Sequence, residues 1–281
     1  MIYIVDYLFN PISYAAINMV MNAKKSKPEI YNLHKNLLFV SLIVVLLFSS
    51  LLACMIGTHA ETLVYVESEA ELRTAVNNAE ANMVTVIALK NNIELSQTLV
   101  ITTEKHIILT SNGSTEFFKL IGANGTSTIT VEADGVLELA GITVTHPRGT
   151  TGRGVTINTG GTLTLTNGTI SDNTVSETPT AYGGGIYNNG TLTMTGGTIT
   201  NNVVTSTGRT GSGIESGGDG VAGGGGVYNV GVGFVLSGGT ITNNTAIGTG
   251  GNGDGAFACN GGDGVAGGGG VYNVGVGFVL S

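Results

Sequence analysis

The chain has 281 residues, 46 of them glycine, with four prolines, no tryptophan and only 11% charged residues. Its net charge of −8 argues against nucleic-acid binding, which needs a clustered basic face. With only two cysteines, Cys54 and Cys259, a disulfide framework is excluded as the basis of the fold.

The first element is a leader, residues 1–60. Residues 37–56 form an uncharged apolar run long enough to cross a bilayer as a helix. Lys24, Lys25, Lys27 and Lys35 precede it and Thr58-His59-Ala60 follows it, the layout of a signal peptide with a cut after Ala60. A cleaved signal and a retained membrane anchor both fit, and in either case the body is exported. Met21 opens a conventional leader and is an alternative start to Met1. Leu51 to Cys54 has the form of a lipid-attachment box, but the apolar run continues through Met55 and Ile56, which favours a chance cysteine.

The body is residues 62–281. Ser68 with Glu71 three positions later fits a capping box, and Leu72, Ala75, Val76 and Ala79 share one helical face. A short amphipathic helix is therefore predicted within residues 67–81. The β-branched run Val84 to Leu89 predicts a strand, and Ile93 to Leu95, Leu99 to Ile101 and Ile107 to Leu109 predict three more. Strands this short bury nothing alone and must stack on neighbours.

From Ser127 onward the units resemble one another. GVLELAGITVTH, GTLTLTNGTISDN, GTLTMTGGTITNN and GFVLSGGTITNN start at Gly135, Gly161, Gly190 and Gly233. Residues 217–237 and 261–281 are identical, 44 positions apart. A self-match at fixed spacing marks a repeat architecture. Alternating aliphatics such as Leu163 and Leu165, or Leu192 and Met194, put one face toward a shared interior. Strand, corner, strand, corner in about twenty residues suits one rung of a parallel β-helix. The fold class expected is all-β, a parallel β-helix with a capping helix, preceded by a signal or transmembrane helix. Stretches between units, such as Val203 to Gly223, are expected to be loops projecting from one corner. The second copy stops at Ser281 without the GGTITNN that follows the first, which suggests a continuation beyond residue 281. An unfinished stack would expose an open edge and dissolve poorly.

The segment Gly183-Gly184-Gly185-Ile186-Tyr187-Asn188 recurs at Gly224–Asn229 and Gly268–Asn273, beside Ile170–Asn173, Ile199–Asn202 and Ile241–Asn244. This pattern resembles the repeats of polymorphic outer-membrane proteins and, more broadly, the pectate-lyase-like right-handed β-helix domains of bacterial surface adhesins. Here glycine replaces the family's alanine and isoleucine its phenylalanine. The resemblance covers about residues 62–281 and implies a cell-surface location. It says little about activity, because such folds carry adhesins, lyases and hydrolases alike.

A lyase needs clustered carboxylates for calcium and a basic proton acceptor, and a hydrolase needs spaced carboxyl groups. No such catalytic, cofactor-binding or metal-ligating set is assigned. His146-Pro147-Arg148 with Arg153 is the one compact group, and it reads better as a solvated loop. Asp219, Asp254 and Asp263 sit in glycine-rich loops. Residues 250–254 fall one residue short of a calcium nonapeptide, which also favours a plain loop. Tyr187, Tyr228 and Tyr272 are the candidate ligand surface, either as stacking platforms for sugars or as a ladder of like residues. The pairs Asn201-Asn202 and Asn243-Asn244 are expected to form an amide ladder at a corner. Asn112, Asn124, Asn167, Asn189 and Asn243 open glycosylation sequons, which a repeat rich in Asn, Gly and Thr generates by itself. The function expected is a non-catalytic, adhesin-like surface protein whose partners are host or neighbouring-cell glycans or proteins, with membrane contact through residues 37–56 if the leader is kept. A polysaccharide lyase or glycoside hydrolase, and a structural stalk for a further domain, are the alternatives.

Overall fold

The computed structural model describes residues 62–113, 117–212, 215–253 and 260–281. The predicted leader with its apolar run, Cys54, Cys259 and Asp254 therefore lie outside the described residues.

The chain opens with β1 (Thr62–Val66) and a helix, α1 (Glu69–Asn78). Three turns of three strands follow. The first holds β2 (Val84–Leu89), β3 (Ile93–Glu94) and β4 (Leu99–Ile101); the second β5 (His106–Ser111), β6 (Lys119–Ile121) and β7 (Ile129–Val131); the third β8 (Val136–Leu139), β9 (Thr143–Thr145) and β10 (Val155–Ile157). The fourth turn adds two strands to that plan: β11 (Thr162–Leu165), β12 (Thr169–Ser171), β13 (Thr174–Glu177), β14 (Thr180–Tyr182) and β15 (Ile186–Asn188). In the fifth and sixth turns the first two strands fuse. These turns are β16 (Thr191–Thr200), β17 (Val203–Thr207), β18 (Gly220–Gly223) and β19 (Val227–Asn229), then β20 (Gly233–Thr242), β21 (Thr245–Thr249), β22 (Gly264–Gly267) and β23 (Val271–Asn273), before β24 (Phe278–Leu280).

Every strand pairing is parallel, and each strand pairs with its equivalent in the next turn. The first face stacks β1, β2, β5, β8, β11, the first halves of β16 and β20, and β24. The second stacks β3, β6, β9, β12 and the remaining halves of β16 and β20. The third runs from β4 to β23. The described residues are thus all-β apart from α1, an arrangement consistent with the expected parallel β-helix.

The period-two pattern explains the core. Ile87, Leu109, Leu139, Leu165 and Met194 stand in one column, and Ile107, Leu137, Leu163, Leu192 and Phe234 in the next. All of them are fully buried. Leu120, Val144, Ile170 and Ile199 line the second face, and Ile129, Val155, Ile186 and Val227 the third. Each such side chain contributes roughly 1.5–3 kcal/mol when removed from water. No turn could hold these residues without its neighbours.

The predicted helix and cap are present. Ser68 Oγ accepts the Glu71 amide at 3.4 Å, and Leu72, Ala75, Val76 and Ala79 are buried in the core. The return bond differs from the expected box: Glu71 Oε2 accepts the amide of Glu67, one residue earlier, at 2.7 Å. Strand β1, on the outer edge of the first face, was not foreseen. No helix among the described residues is long and apolar enough to cross a membrane.

The stretch from Val203 to Gly223 is not simply a loop. Strands β13, β17 and β21 form one small parallel sheet and β14, β18 and β22 another. Val175, Val204, Ala181 and Ala222 pack between them as a second, thin core, with Ala246 against it. These lobes lengthen the later turns beyond the expected twenty residues. Equivalent asparagines are 29 residues apart at Asn173 and Asn202, and 42 apart at Asn202 and Asn244.

Candidate functional site

The tyrosines of the repeated GGG-[IV]-YN motif occupy one register position of the third face, so Tyr187, Tyr228 and Tyr272 stand in a column. Their ring centroids lie 5.4 and 5.6 Å apart, tilted by 37° and 49°. A fourth ring, Tyr182 from β14, stacks on Tyr228 at 4.2 Å and 16°. The lobe sheets thus close over the column, and only 8% of Tyr228 is exposed. Burial, followed by the neighbouring Tyr182, Tyr187 and Tyr272, pushes the Tyr228 phenol above its ordinary value of 10.0. Of the two readings of the tyrosines, the ladder of like residues describes the geometry. Tyr228 presents no open ring face for a sugar, while Tyr187 and Tyr272 are half-buried.

Arg153 belongs to this aromatic group. Its Nε donates to the Tyr182 carbonyl at 3.0 Å, its Nη2 pairs with Glu177 at 2.9 Å, and its guanidinium lies 5.7 Å from the Tyr187 ring centre. It therefore ties β14 to the column.

His146 is not in a solvated loop. Only 3% of it is exposed. Nδ1 lies 2.8 Å from Asn173 Oδ1, and Nε2 lies 3.0 Å from the Thr126 carbonyl oxygen. The ring fills a slot between Gly122 and Gly152, where a Cβ on either residue would strike it. The group His146-Pro147-Arg148-Arg153 is thus taken apart by the fold: Arg153 turns to the tyrosines, His146 is buried at the floor of a cleft, and Pro147 and Arg148 line that cleft.

The same histidine heads a hydrogen-bonded column. Asn173 Nδ2 donates to Asn202 Oδ1 at 2.8 Å, and Asn202 Nδ2 donates to Asn244 Oδ1 at 2.9 Å. The amide orientation is set by the backbone, because the amides of Asn173 and Asn202 donate to the same Oδ1 atoms. Only half of each predicted Asn pair joins this ladder. Asn201 and Asn243 instead take the left-handed backbone conformation, with φ of 56° and 54°, as Asp172 does at 58°. The first residue turns the corner and the second points inward.

A second amide column went unpredicted. Asn188 Nδ2 donates to Asn229 Oδ1 at 2.5 Å, and Asn229 Nδ2 donates to Asn273 Oδ1 at 2.6 Å. The signal was present in the final residue of GGGIYN, two positions beyond the buried isoleucine and so on the same face. The five sequon asparagines, Asn112, Asn124, Asn167, Asn189 and Asn243, are by contrast all exposed.

The third glycine of the motif fits against these columns. A Cβ on Gly185 would come 2.6 Å from the Gly226 carbonyl and 2.9 Å from Asn202 Nδ2. Gly154 stands in the same relation to Gly185 and Asn173, and Gly226 to Gly270 and Asn244. The glycine and asparagine motifs are therefore two sides of one contact.

An open cleft of about 660 Å³ lies along the second face. Glu94, Lys119, Arg148 and Asp172 line it, with Thr145 and Asn201. Asp219 and Asp263 lie elsewhere, on adjacent turns of the lobe, where Asp219 accepts the Asp263 amide at 2.8 Å. Among the described residues no group of three or more His, Cys, Asp or Glu side chains could hold a metal ion. No family model, curated protein or solved structure matches the chain.

Proposed function

We propose that the chain is an exported, non-catalytic surface protein, a right-handed pectate-lyase-like β-helix of the adhesin type that binds host or neighbouring-cell glycans or proteins along its side. The observation that carries this reading is the division of labour among the polar side chains. The imidazole, the amides and one of the arginines are turned to internal bonds that hold the stack. The lateral surface keeps the cleft with Lys119, Arg148, Glu94 and Asp172, and beside it hydroxyl-bearing columns such as Thr143, Thr169, Thr198 and Thr240. Such a surface offers many hydrogen-bonding groups in a fixed array and suits a polar, extended ligand. Export follows from the leader pattern, and with it a cell-surface or extracellular location.

A lyase or hydrolase is the second reading, favoured by one feature, the presence of Arg148, Glu94 and Asp172 along one open cleft. Binding to immobilised polysaccharides and to cell surfaces separates the two when read together with product release. The proposal expects saturable binding that Arg148→Ala weakens at least threefold, with the polysaccharide recovered intact. Calcium-dependent release of unsaturated sugar, abolished by the same substitution, would establish the enzyme instead.

A further inference from the structure

Strand β14 carries Tyr182 at a position where the equivalent residues of the next two turns have no side chain. In register, Tyr182 pairs with Gly223, and Gly223 with Gly267. A Cβ on Gly223 would lie 2.3 Å from Tyr272 Cδ1 and 3.2 Å from Tyr182 Cδ1, so the glycine leaves room that the rings fill. With that room, the Tyr182 and Tyr228 rings come to 4.2 Å between centroids, only 16° from parallel. Aromatic pairs ordinarily keep their centroids about 4.5–7 Å apart. The contacts of Tyr228 with Tyr187 and Tyr272, at 5.4 and 5.6 Å and tilted by 37° and 49°, fall in that range. The Tyr182–Tyr228 pair is closer and flatter than the column it joins, and it spans two different sheets, through β14 and β19.

We infer that Tyr182 and Tyr228 form a site of oxidative cross-linking, at which a one-electron oxidant, a peroxide-activated haem, joins the two rings as dityrosine. The inference is independent of what the lateral cleft binds. Each phenol gives up one electron and its hydroxyl proton and becomes a phenoxyl radical. The unpaired density of such a radical lies partly on the ring carbons ortho to the oxygen. Face-to-face stacking brings these carbons together, and a carbon–carbon bond forms between one ortho carbon of each ring. The hydrogen on each bonded carbon then moves to the oxygen of its own ring, which restores aromaticity. Two electrons and two protons leave in all, and hydrogen peroxide takes them up to give two molecules of water. Burial selects the partner. Tyr228 is only 8% exposed, so a radical there is shielded from other chains and meets the ring stacked on it. Tyr182 is half-buried and passes oxidation inward from the surface. At Tyr187 the Arg153 guanidinium, 5.7 Å from the ring centre, opposes the loss of an electron. The new bond ties the lobe, whose own core is four buried residues, to the third face.

The experiment treats the full chain, at low concentration, with hydrogen peroxide and a haem peroxidase. The monomer band from a denaturing gel is then digested with trypsin and weighed by mass spectrometry. No lysine follows Lys119, and Arg153 and Arg209 are the last two cleavage sites. Tyr182 and Tyr187 therefore fall in the peptide 154–209, and Tyr228 and Tyr272 in 210–281. The expected product is these two peptides joined, two hydrogen atoms lighter than their sum and with dityrosine fluorescence. Tyr182→Phe and Tyr228→Phe keep a ring in the stack but remove the phenol. Each is expected to lower the joined product at least tenfold with thermal unfolding unchanged, while Tyr187→Phe and Tyr272→Phe stay within twofold of the native chain. Absence of the joined pair, an undiminished yield in Tyr182→Phe or Tyr228→Phe, or an equal yield from the chain oxidised in urea each overturns the inference. A tenfold loss in Tyr187→Phe would place the bond elsewhere in the column and overturns it as well.

Discussion

Neighbouring asparagines in this repeat have different tasks, and single substitutions will tell them apart. Asn202 is fully buried between Asn173 and Asn244. Asn202→Leu leaves the Asn173 backbone amide without its acceptor and removes the side-chain bonds that Asn202 makes to the Asn173 side chain, to Asn244 Oδ1 and to the Ile170 carbonyl. Each orphaned buried group costs about 1–3 kcal/mol. A large fall in the urea midpoint is expected. Asn201, at φ 56°, is exposed and serves by its backbone alone. Asn201→Gly relieves the left-handed conformation but loosens the unfolded chain, so its net effect is expected to stay within about 1 kcal/mol in the same titration. The inequality follows from burial, since the two residues are identical in kind and adjacent in sequence.

At the level of elements, an ion pair within α1 has both its members bonded to the Ser96–Thr98 segment of the stack. Glu69 Oε1 accepts from Arg73 Nη2 at 2.7 Å and from the Ser96 amide at 3.0 Å, while Arg73 donates to the Thr98 carbonyl at 3.1 Å. Burial raises the Glu69 carboxyl, but the hydrogen bonds from Arg73 and Ser96 together outweigh it, and the group is held below its ordinary value of 4.5. A depressed folded value stabilises the fold above the unfolded value and loses that contribution as pH falls through the folded one. The native chain is therefore expected to lose more stability below pH 4.5 than Glu69→Gln does, measured by urea unfolding across that range. The lobe built from β13, β17 and β21 with β14, β18 and β22 makes the complementary point. Its valines and alanines form a core too thin to stand alone, and it exists because each strand finds an equivalent on the next turn.

Across the whole molecule, stability is a sum over neighbouring turns, because each ladder joins a strand only to those before and after it. Removing residues 238–281 takes away β21 to β24 and half of β20 and leaves the earlier pairings intact. The shortened chain is expected to keep its strand content by circular dichroism and to melt only modestly earlier. Global unfolding on that deletion would show that the last turns hold the first. The same additivity frees the side of the stack for function: Arg148 and Lys119 in the cleft can change without loosening the columns.

Sequence alone determined the strand-forming runs, the helix with its buried face, the repeat and the tyrosine column. Periodicity of two, periodicity of 3.6 and recurrence are all local signals, and stacking in register turns a recurrence into a column. What only the tertiary structure decided is what lies opposite each residue on another turn. His146, grouped by sequence with Arg148 and Arg153, was drawn inward to head the Asn173 column. The Val203–Gly223 stretch became part of two sheets, and Tyr182, outside the repeated motif, closed over Tyr228. Each of these depends on a contact between residues that are far apart in sequence. Such contacts form only once the turns have stacked, and no single unit records them.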